Sequence, residues 1–194
     1  MRVLLPDTIY HIYNYAIEDE NLFIEDSQYM FFLNKYATYL NPVVKTYAYC
    51  LMPNHFHLLI KIRQEAELQR RIVATDKAEY IIQASQLFSM LFNQYTRAYN
   101  RHYQRKGSLF HPTIKVKAIA DRHELASTVH YIHQNPIHHQ YCQNLNEWYW
   151  SSYHTYLNTK KTLLQKEETL QWFGGSEAFK AAHDVQKNRF FKAA

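Results

Sequence analysis

The sequence carries two histidines separated by one phenylalanine, within the run LMPNHFHLLI at positions 51–60. The β-rich residues around them predict a strand, and alternate residues of a strand point to the same face. We therefore expect His55 and His57 to project two imidazoles together while Phe56 points into the core. Neutral imidazoles bind divalent metals, and two of them leave positions free for a third protein ligand, a phosphate oxygen and water. Two surface histidines on an exposed strand face are the alternative.

The elements around this pair follow a recognisable order. Hydrophobic patterning predicts strands at 8–15, 45–52, 55–62 and 113–119, and helices at 27–40, at 79–103 and from 121 to about 134. Pro53 and Asn54 predict a tight turn that joins the two middle strands into an antiparallel hairpin. The first six elements form a β-α-β-β-α-β arrangement. We therefore predict an α+β, ferredoxin-like fold whose antiparallel sheet has helices on one face.

The third predicted helix presents a tyrosine away from its apolar stripe. Asp121 and Glu124 have capping-box spacing at the start of this helix, and Pro136 follows its expected end. The stripe that should face the core consists of Leu125, Val129 and Ile132. Tyr131 lies off this stripe, so we expect its hydroxyl to be free to reach a substrate. A tyrosine packed at a helix end is the alternative.

The composition limits the classes of protein that fit. With 194 residues, of which 47% are hydrophobic, a single compact domain is the default expectation. Lys and Arg outnumber Asp and Glu by 22 to 17, which favours a polyanionic partner. The 17 Tyr, 11 Phe and 3 Trp exceed what one core needs, and exposed rings can stack on unpaired bases.

Cysteine usage and hydropathy indicate a compartment. Cys50 and Cys142 cannot build a disulfide framework, which fits a reducing environment. No stretch approaches the roughly 20 apolar residues of a membrane helix, and the N-terminal run lacks the features of a signal peptide. We therefore expect a cytoplasmic protein without a membrane partner.

Four runs of the sequence resemble one known family. The run AYCLMPNHFHLLI at 48–60 resembles the signature of the IS200-like tyrosine (Y1, HUH) transposases, in particular their REP-associated branch. The runs NQYTRAYNRHYQRKGSLF at 93–110, YIHQNP at 131–136 and WSSYHTY at 150–156 are similar to that branch in order and approximate spacing. The resemblance covers roughly residues 8–157. We therefore predict a transposase domain at 1–157 and a C-terminal helical extension at 158–194, with an amphipathic helix at 176–191.

The resemblance implies a reaction and the residues that perform it. In the family, the histidine pair binds Mg²⁺ or Mn²⁺ and a helix-borne tyrosine attacks a DNA phosphate, which leaves a 5′-phosphotyrosine link and a free 3′-hydroxyl. The matching residues are His55, His57 and Tyr131, and Asn135 matches a third metal ligand. Because the covalent link conserves the energy of the phosphoester bond, the step is reversible, and such an enzyme cleaves single-stranded DNA and also rejoins it. The implied partners are single-stranded or hairpin DNA, with a homodimer left open.

Other interpretations of these residues stay open. A non-catalytic protein with a ferredoxin-like fold that binds hairpin DNA or RNA would also be basic and rich in aromatic residues. A zinc site is a further alternative, because histidines crowd around Tyr131 at His130, His133, His138 and His139.

Basic residues cluster near the end of the second helix and on the fourth strand. They are Arg97, Arg101, Arg105, Lys106, Lys115 and Lys117. We expect them to contact DNA phosphates, although a solvated charged face would explain them equally well. The chain departs from the family pattern after Phe110 and after Pro136, near expected DNA contacts, so the recognised DNA sequence is not predicted.

Overall fold

The computed structural model of the chain describes residues 4–64, 66–67 and 77–184, the last range without the side chains of 77–84. In chain order the elements are β1 (Ile9–Tyr15), α1 (Asp26–Tyr39), β2 (Val44–Met52), β3 (His55–Ile62), α2 (Lys77–His102), β4 (Lys115–Ile119), α3 (Arg122–His138), a 3-10 turn (Leu145–Glu147), α4 (Tyr153–Leu157), α5 (Lys166–Phe173) and α6 (Ser176–His183).

The four strands form an antiparallel sheet in the order β2-β3-β1-β4. Met52 pairs with His55, so β2 and β3 form the predicted hairpin around Pro53 and Asn54. The two central strands are β1 and β3, and their register places Tyr13 opposite His57. This strand order confirms the predicted α+β, ferredoxin-like fold.

Strand alternation divides the sheet into two packed faces. One face packs against α1 and α2, and its buried cluster includes Ile12, Phe56, Leu58, Phe32, Phe88 and Leu91. The opposite face packs against α3, and its buried cluster includes Leu59, Ile119, Leu125, Val129 and Ile132. The first two helices therefore share one face, as predicted. Helix α3, which carries Tyr131, packs on the other face and contacts the side chains that point to it, such as Leu59 and Ile119.

Helix α3 starts as expected but ends later than expected. The Asp121 carboxylate caps the helix by accepting hydrogen bonds from the backbone N–H groups of His123 and Glu124, at 2.6 and 3.2 Å. The helix continues through Pro136 to His138, whereas the sequence predicted an end near residue 134. A proline this close to the end removes one intrahelical hydrogen bond only, so the last turn can still form.

The C-terminal extension packs on the second face of the sheet. The extension contains helix α5, and the Tyr47 hydroxyl donates to the Glu168 carboxylate of this helix at 3.2 Å. Phe179 on α6 is fully buried in the cluster with α3. The predicted helix at 176–191 is described as far as His183, and the rest lies outside the described residues. A boundary between residues 157 and 158 stays a prediction.

Within the described part of the chain, no helix has the length and apolarity to cross a membrane.

Candidate active site

His55 and His57 lie side by side at one end of the sheet. Their rings are 5.3 Å apart on the face opposite the α1 and α2 helices, while Phe56 between them is fully buried on the other face. This arrangement is what strand alternation dictates. His57 is 4% exposed and His55 is half-buried, so the second imidazole lies deeper than the first.

Helix α3 brings Tyr131 against His57, the deeper histidine of this pair. Tyr131 is 44% exposed, although Val129 and Ile132 on the same helix are fully buried. Its ring meets the His57 ring edge-on, with centroids 5.6 Å apart and planes at 85°. The structure thus brings together the two histidines and the tyrosine that the sequence singled out, all from one chain.

A third histidine, which the sequence analysis missed, completes this cluster. His11 on β1 places its Nε2 atom 2.9 Å from Nδ1 of His57, and its ring lies 5.9 Å from the Tyr131 ring. His11 is 8% exposed. The sequence does place His11 in the predicted first strand, where alternation points its side chain to the face opposite Tyr10 and Ile12. That signal could not identify His57 as the partner, because the register between β1 and β3 was unknown.

The turn before β3 and the chain after α3 hold His55. Its Nδ1 atom lies 2.6 Å from Oδ1 of Asn54, and the same oxygen accepts a hydrogen bond from the Tyr141 hydroxyl at 3.4 Å. The ring of His139 lies 4.6 Å from the His55 ring. The end of α3 therefore closes over the hairpin turn as well as over the strand.

Burial keeps the three strand histidines neutral. It lowers the pKa of His57 to about 2, helped by repulsion from His11, His55 and His139. It also lowers the pKa of His55 and of His11 to about 4 each, with smaller contributions from His139 and from Lys117 respectively. Near neutral pH each imidazole therefore keeps one nitrogen lone pair, which is the form that binds a metal.

Asn135, the predicted third ligand, is held differently from the histidines. It is 1% exposed, and its side-chain nitrogen donates to the backbone carbonyl of Tyr131 at 2.8 Å. Among the described residues, no group of three or more His, Cys, Asp and Glu side chains could hold a metal ion. The candidate donors for a divalent cation are the two imidazoles of His55 and His57, and their role as ligands, like that of Asn135, stays a prediction.

The histidines near Tyr131 do not form one separate zinc site. His138 lies by the Tyr131 ring and His139 by the His55 ring, at centroid distances of 6.5 and 4.6 Å. His133 is fully buried on the opposite side of α3, where it contacts the C-terminal extension. Helical phase spreads these residues around α3, which explains why the zinc alternative finds no support in the described ranges.

The predicted DNA-contacting residues differ in their surroundings. Lys115 is exposed and pairs with Tyr13 in the sheet register, on the same face and at the same end as His57. Lys117 binds Glu124 of α3 at 2.6 Å, and Arg105 binds Glu20 at 2.9 Å. The remaining members are exposed near the end of α2, and they are Arg97, Arg101 and Lys106.

The chain thus combines a four-stranded antiparallel sheet, a histidine pair on one of its central strands, and a tyrosine that a helix brings against that strand. No family model matches the chain. A solved structure of a REP-associated tyrosine transposase bound to a REP hairpin superposes with a TM-score of 0.59 at 14% identity, covering 81% of this chain and 83% of that one. At this identity the match shows the fold.

A sequence relative supports the same family. A protein of Haemophilus influenzae that is named as a REP-associated tyrosine transposase is 27% identical over 110 residues. The match covers 57% of this chain and 59% of the relative's length. Together the two comparisons confirm the resemblance predicted from the motifs: the chain is similar to REP-associated tyrosine transposases in sequence and in fold.

Proposed function

We propose that this chain is a metal-dependent endonuclease and strand transferase for single-stranded DNA, which acts through a 5′-phosphotyrosine intermediate on Tyr131. It serves in DNA transposition or is a domesticated relative. The observation that carries the proposal is the exposed Tyr131 ring set edge-on against His57, 5.6 Å away within the same chain. The reaction needs a nucleophile and a phosphate-binding centre together.

The residues divide the chemistry between them. Attack by the Tyr131 oxygen forms one phosphoester bond and breaks another, so the phenol loses a proton and the released 3′-oxygen gains one. A phenol with a pKa of about 10 is a weak nucleophile unless it is assisted. A divalent ion such as Mg²⁺ or Mn²⁺ bound at His55 and His57 would supply that assistance by neutralising and polarising the phosphate. Asn135 is our proposed third ligand, through its Oδ1 atom, while its side-chain nitrogen donates to the Tyr131 carbonyl.

The proposed partner is single-stranded DNA next to a hairpin, because the solved relative is bound to a REP hairpin. Lys115, exposed on the same face and at the same end of the sheet as His57, would hold a phosphate, and the exposed cations near the end of α2 would extend the contact. We assign the activity to the cytoplasm, where the proposed substrate lies.

The test is a covalent adduct assay. The full chain is incubated with Mn²⁺ and labelled single-stranded hairpin DNA from the flanks of its own gene, and denaturing gels then reveal any protein–DNA link. We expect an adduct with the wild-type chain, and none with Tyr131→Phe. Tyr149→Phe is the matched control, because Tyr149 is 75% exposed and lies outside the site, so this variant should form the adduct normally.

Two outcomes would redirect the proposal. Tight hairpin binding by the wild-type chain with no adduct would favour the non-catalytic hairpin-binding protein. An adduct that persists in Tyr131→Phe would assign the nucleophile to another residue.

A further inference from the structure

Each histidine of the candidate metal pair has its Nδ1 atom engaged by another side chain. Nδ1 of His55 meets Oδ1 of Asn54 at 2.6 Å, and Nδ1 of His57 meets Nε2 of His11 at 2.9 Å. In contrast, no hydrogen bond reaches Nε2 of either histidine within the described part of the chain. The two contacts come from different elements, the β2–β3 turn and strand β1.

The contact at His55 fixes where its proton lies. An amide oxygen only accepts hydrogen bonds, so the proton must be on Nδ1 of His55, and Nε2 keeps its lone pair. The Tyr141 hydroxyl donates to the same oxygen, which agrees with an oxygen rather than a nitrogen at that position of Asn54. His55 is therefore held in the tautomer that binds a cation through Nε2.

The contact at His57 allows two proton arrangements. If His57 donates through Nδ1, then His11 accepts at Nε2, and Nε2 of His57 has a free lone pair. If His11 donates instead, the His57 proton lies on Nε2 and this nitrogen cannot bind a metal. Only in the first arrangement do His55 and His57 have the same tautomer, with the lone pair of each ring on Nε2.

We propose that His11 and Asn54 are positioning residues, which accept hydrogen bonds from Nδ1 of His57 and His55 and so present both Nε2 atoms to one divalent cation. This proposal rests on the proposed function for its purpose. Partners of this kind fix the tautomer and the ring orientation of a metal-binding histidine, and losing one weakens metal affinity about 10- to 100-fold. Neither residue touches the reacting atoms in this scheme.

The first test needs neither metal nor DNA. The full chain is labelled with ¹⁵N at histidine, and long-range ¹H–¹⁵N spectra of the metal-free protein report which nitrogen of each ring is protonated. We expect His55 and His57 to show protonated Nδ1 and bare Nε2, and His11 to show bare Nε2. A proton on Nε2 of His57 or His55 overturns the proposal.

Variants then test the consequence for metal binding. His11→Gln keeps an acceptor within reach of His57, whereas His11→Phe keeps a ring and removes the acceptor. Titration with Mn²⁺ alone should show affinity lowered about 10- to 100-fold in His11→Phe and in Asn54→Ala, and largely retained in His11→Gln and Asn54→Asp. His111→Phe is the control, since His111 lies in the loop before β4 and its ring contacts only the Tyr15 ring among the described aromatic pairs, with centroids 4.6 Å apart.

The two proposals fail in different ways. If His11→Phe and Asn54→Ala fold and bind Mn²⁺ as tightly as the wild-type chain, the positioning role is wrong. If the wild-type chain shows the expected tautomers and binds Mn²⁺ but forms no DNA adduct, the positioning role stands and the proposed function fails.

Discussion

Tyr131 owes its exposure to its phase on α3. Val129, two positions before it, and Ile132, the next residue, are fully buried, so a shift of one position towards the C-terminus would turn the phenol into the core. A side chain that reaches outward contributes little burial to folding. The same residue can therefore be indispensable for chemistry and dispensable for stability.

We expect Tyr131→Phe to change the free energy of unfolding by no more than about 0.5 kcal/mol, because it deletes one hydroxyl from an exposed ring. Tyr156→Phe deletes a buried hydroxyl that donates to the Tyr47 carbonyl, and should cost about 1–2 kcal/mol. Urea denaturation of both variants measures the difference. A large loss in Tyr131→Phe would mean that the ring supports the fold.

At the scale of elements, a chain of hydrogen bonds docks the C-terminal helix α6 onto α3. Nδ1 of His183 lies 2.8 Å from the Phe179 carbonyl, which can only accept, so Nε2 of His183 must accept from Nδ1 of His133 at 2.9 Å. Nε2 of His133 then accepts from the Ser152 hydroxyl at 2.7 Å. One set of neutral tautomers satisfies all three contacts. Helix α3, which carries Tyr131, is thereby held in place by contacts of His133 with His183 and Ser152.

This docking makes stability depend on pH. Burial lowers the pKa of His183 to about 3, from 6.5 for a free histidine, so the folded chain resists a proton that the unfolded chain takes up. The contribution is complete above pH 6.5 and falls with pH towards about 3, by at most about 1.4 kcal/mol per pH unit. Urea denaturation across this range should give a shallower pH slope for His183→Leu than for the wild-type chain. Equal slopes would contradict this account.

The charged groups around His183 enter that comparison as well. Those that act on His183, on His133 or on Tyr153, whose ring lies 5.4 Å from the His183 ring, are His130, His133, His154, Lys180 and Asp184. Arg101→Gln is a suitable control, because Arg101 is exposed near the end of α2, which packs on the opposite face of the sheet. Its pH slope should match that of the wild-type chain.

Local patterns in the sequence predicted those parts of the fold and site that depend on neighbouring residues. Strand alternation is sufficient to place His55 and His57 on one face, and helical phase is sufficient to expose Tyr131. His11 is 46 residues from His57, and His183 is 50 residues from His133, so their pairing depends on strand register and helix docking. Neither can be read from a single sequence.

For the whole molecule, the structure brings Tyr131 and the histidine pair together within one chain. The centroids of the Tyr131 and His57 rings are 5.6 Å apart, and both residues belong to the same chain. We therefore expect each chain to cleave with its own tyrosine, whatever its oligomeric state.

Mixing two inactive variants tests this expectation. Tyr131→Phe retains the histidines and His57→Ala retains the tyrosine, so a site shared between chains would regain adduct formation in the mixture. We expect no regain, as judged on denaturing gels, while each variant mixed with the wild-type chain leaves the wild-type adduct in place. Recovered adduct in the mixture of variants would show that the tyrosine acts in a partner chain.

The main core and the site histidines lie on opposite faces of the sheet, so substitutions can affect one without the other. Ile12 and Phe56 hold the α1 and α2 side together, while His11 and His57 project from the same strands to the opposite side. Replacing the second pair leaves the larger core intact. A host lineage in which DNA cutting became harmful could therefore discard the reactive side chains one at a time and inherit an intact scaffold. The chemistry proposed for this protein would thus be lost through few substitutions, without loss of the fold.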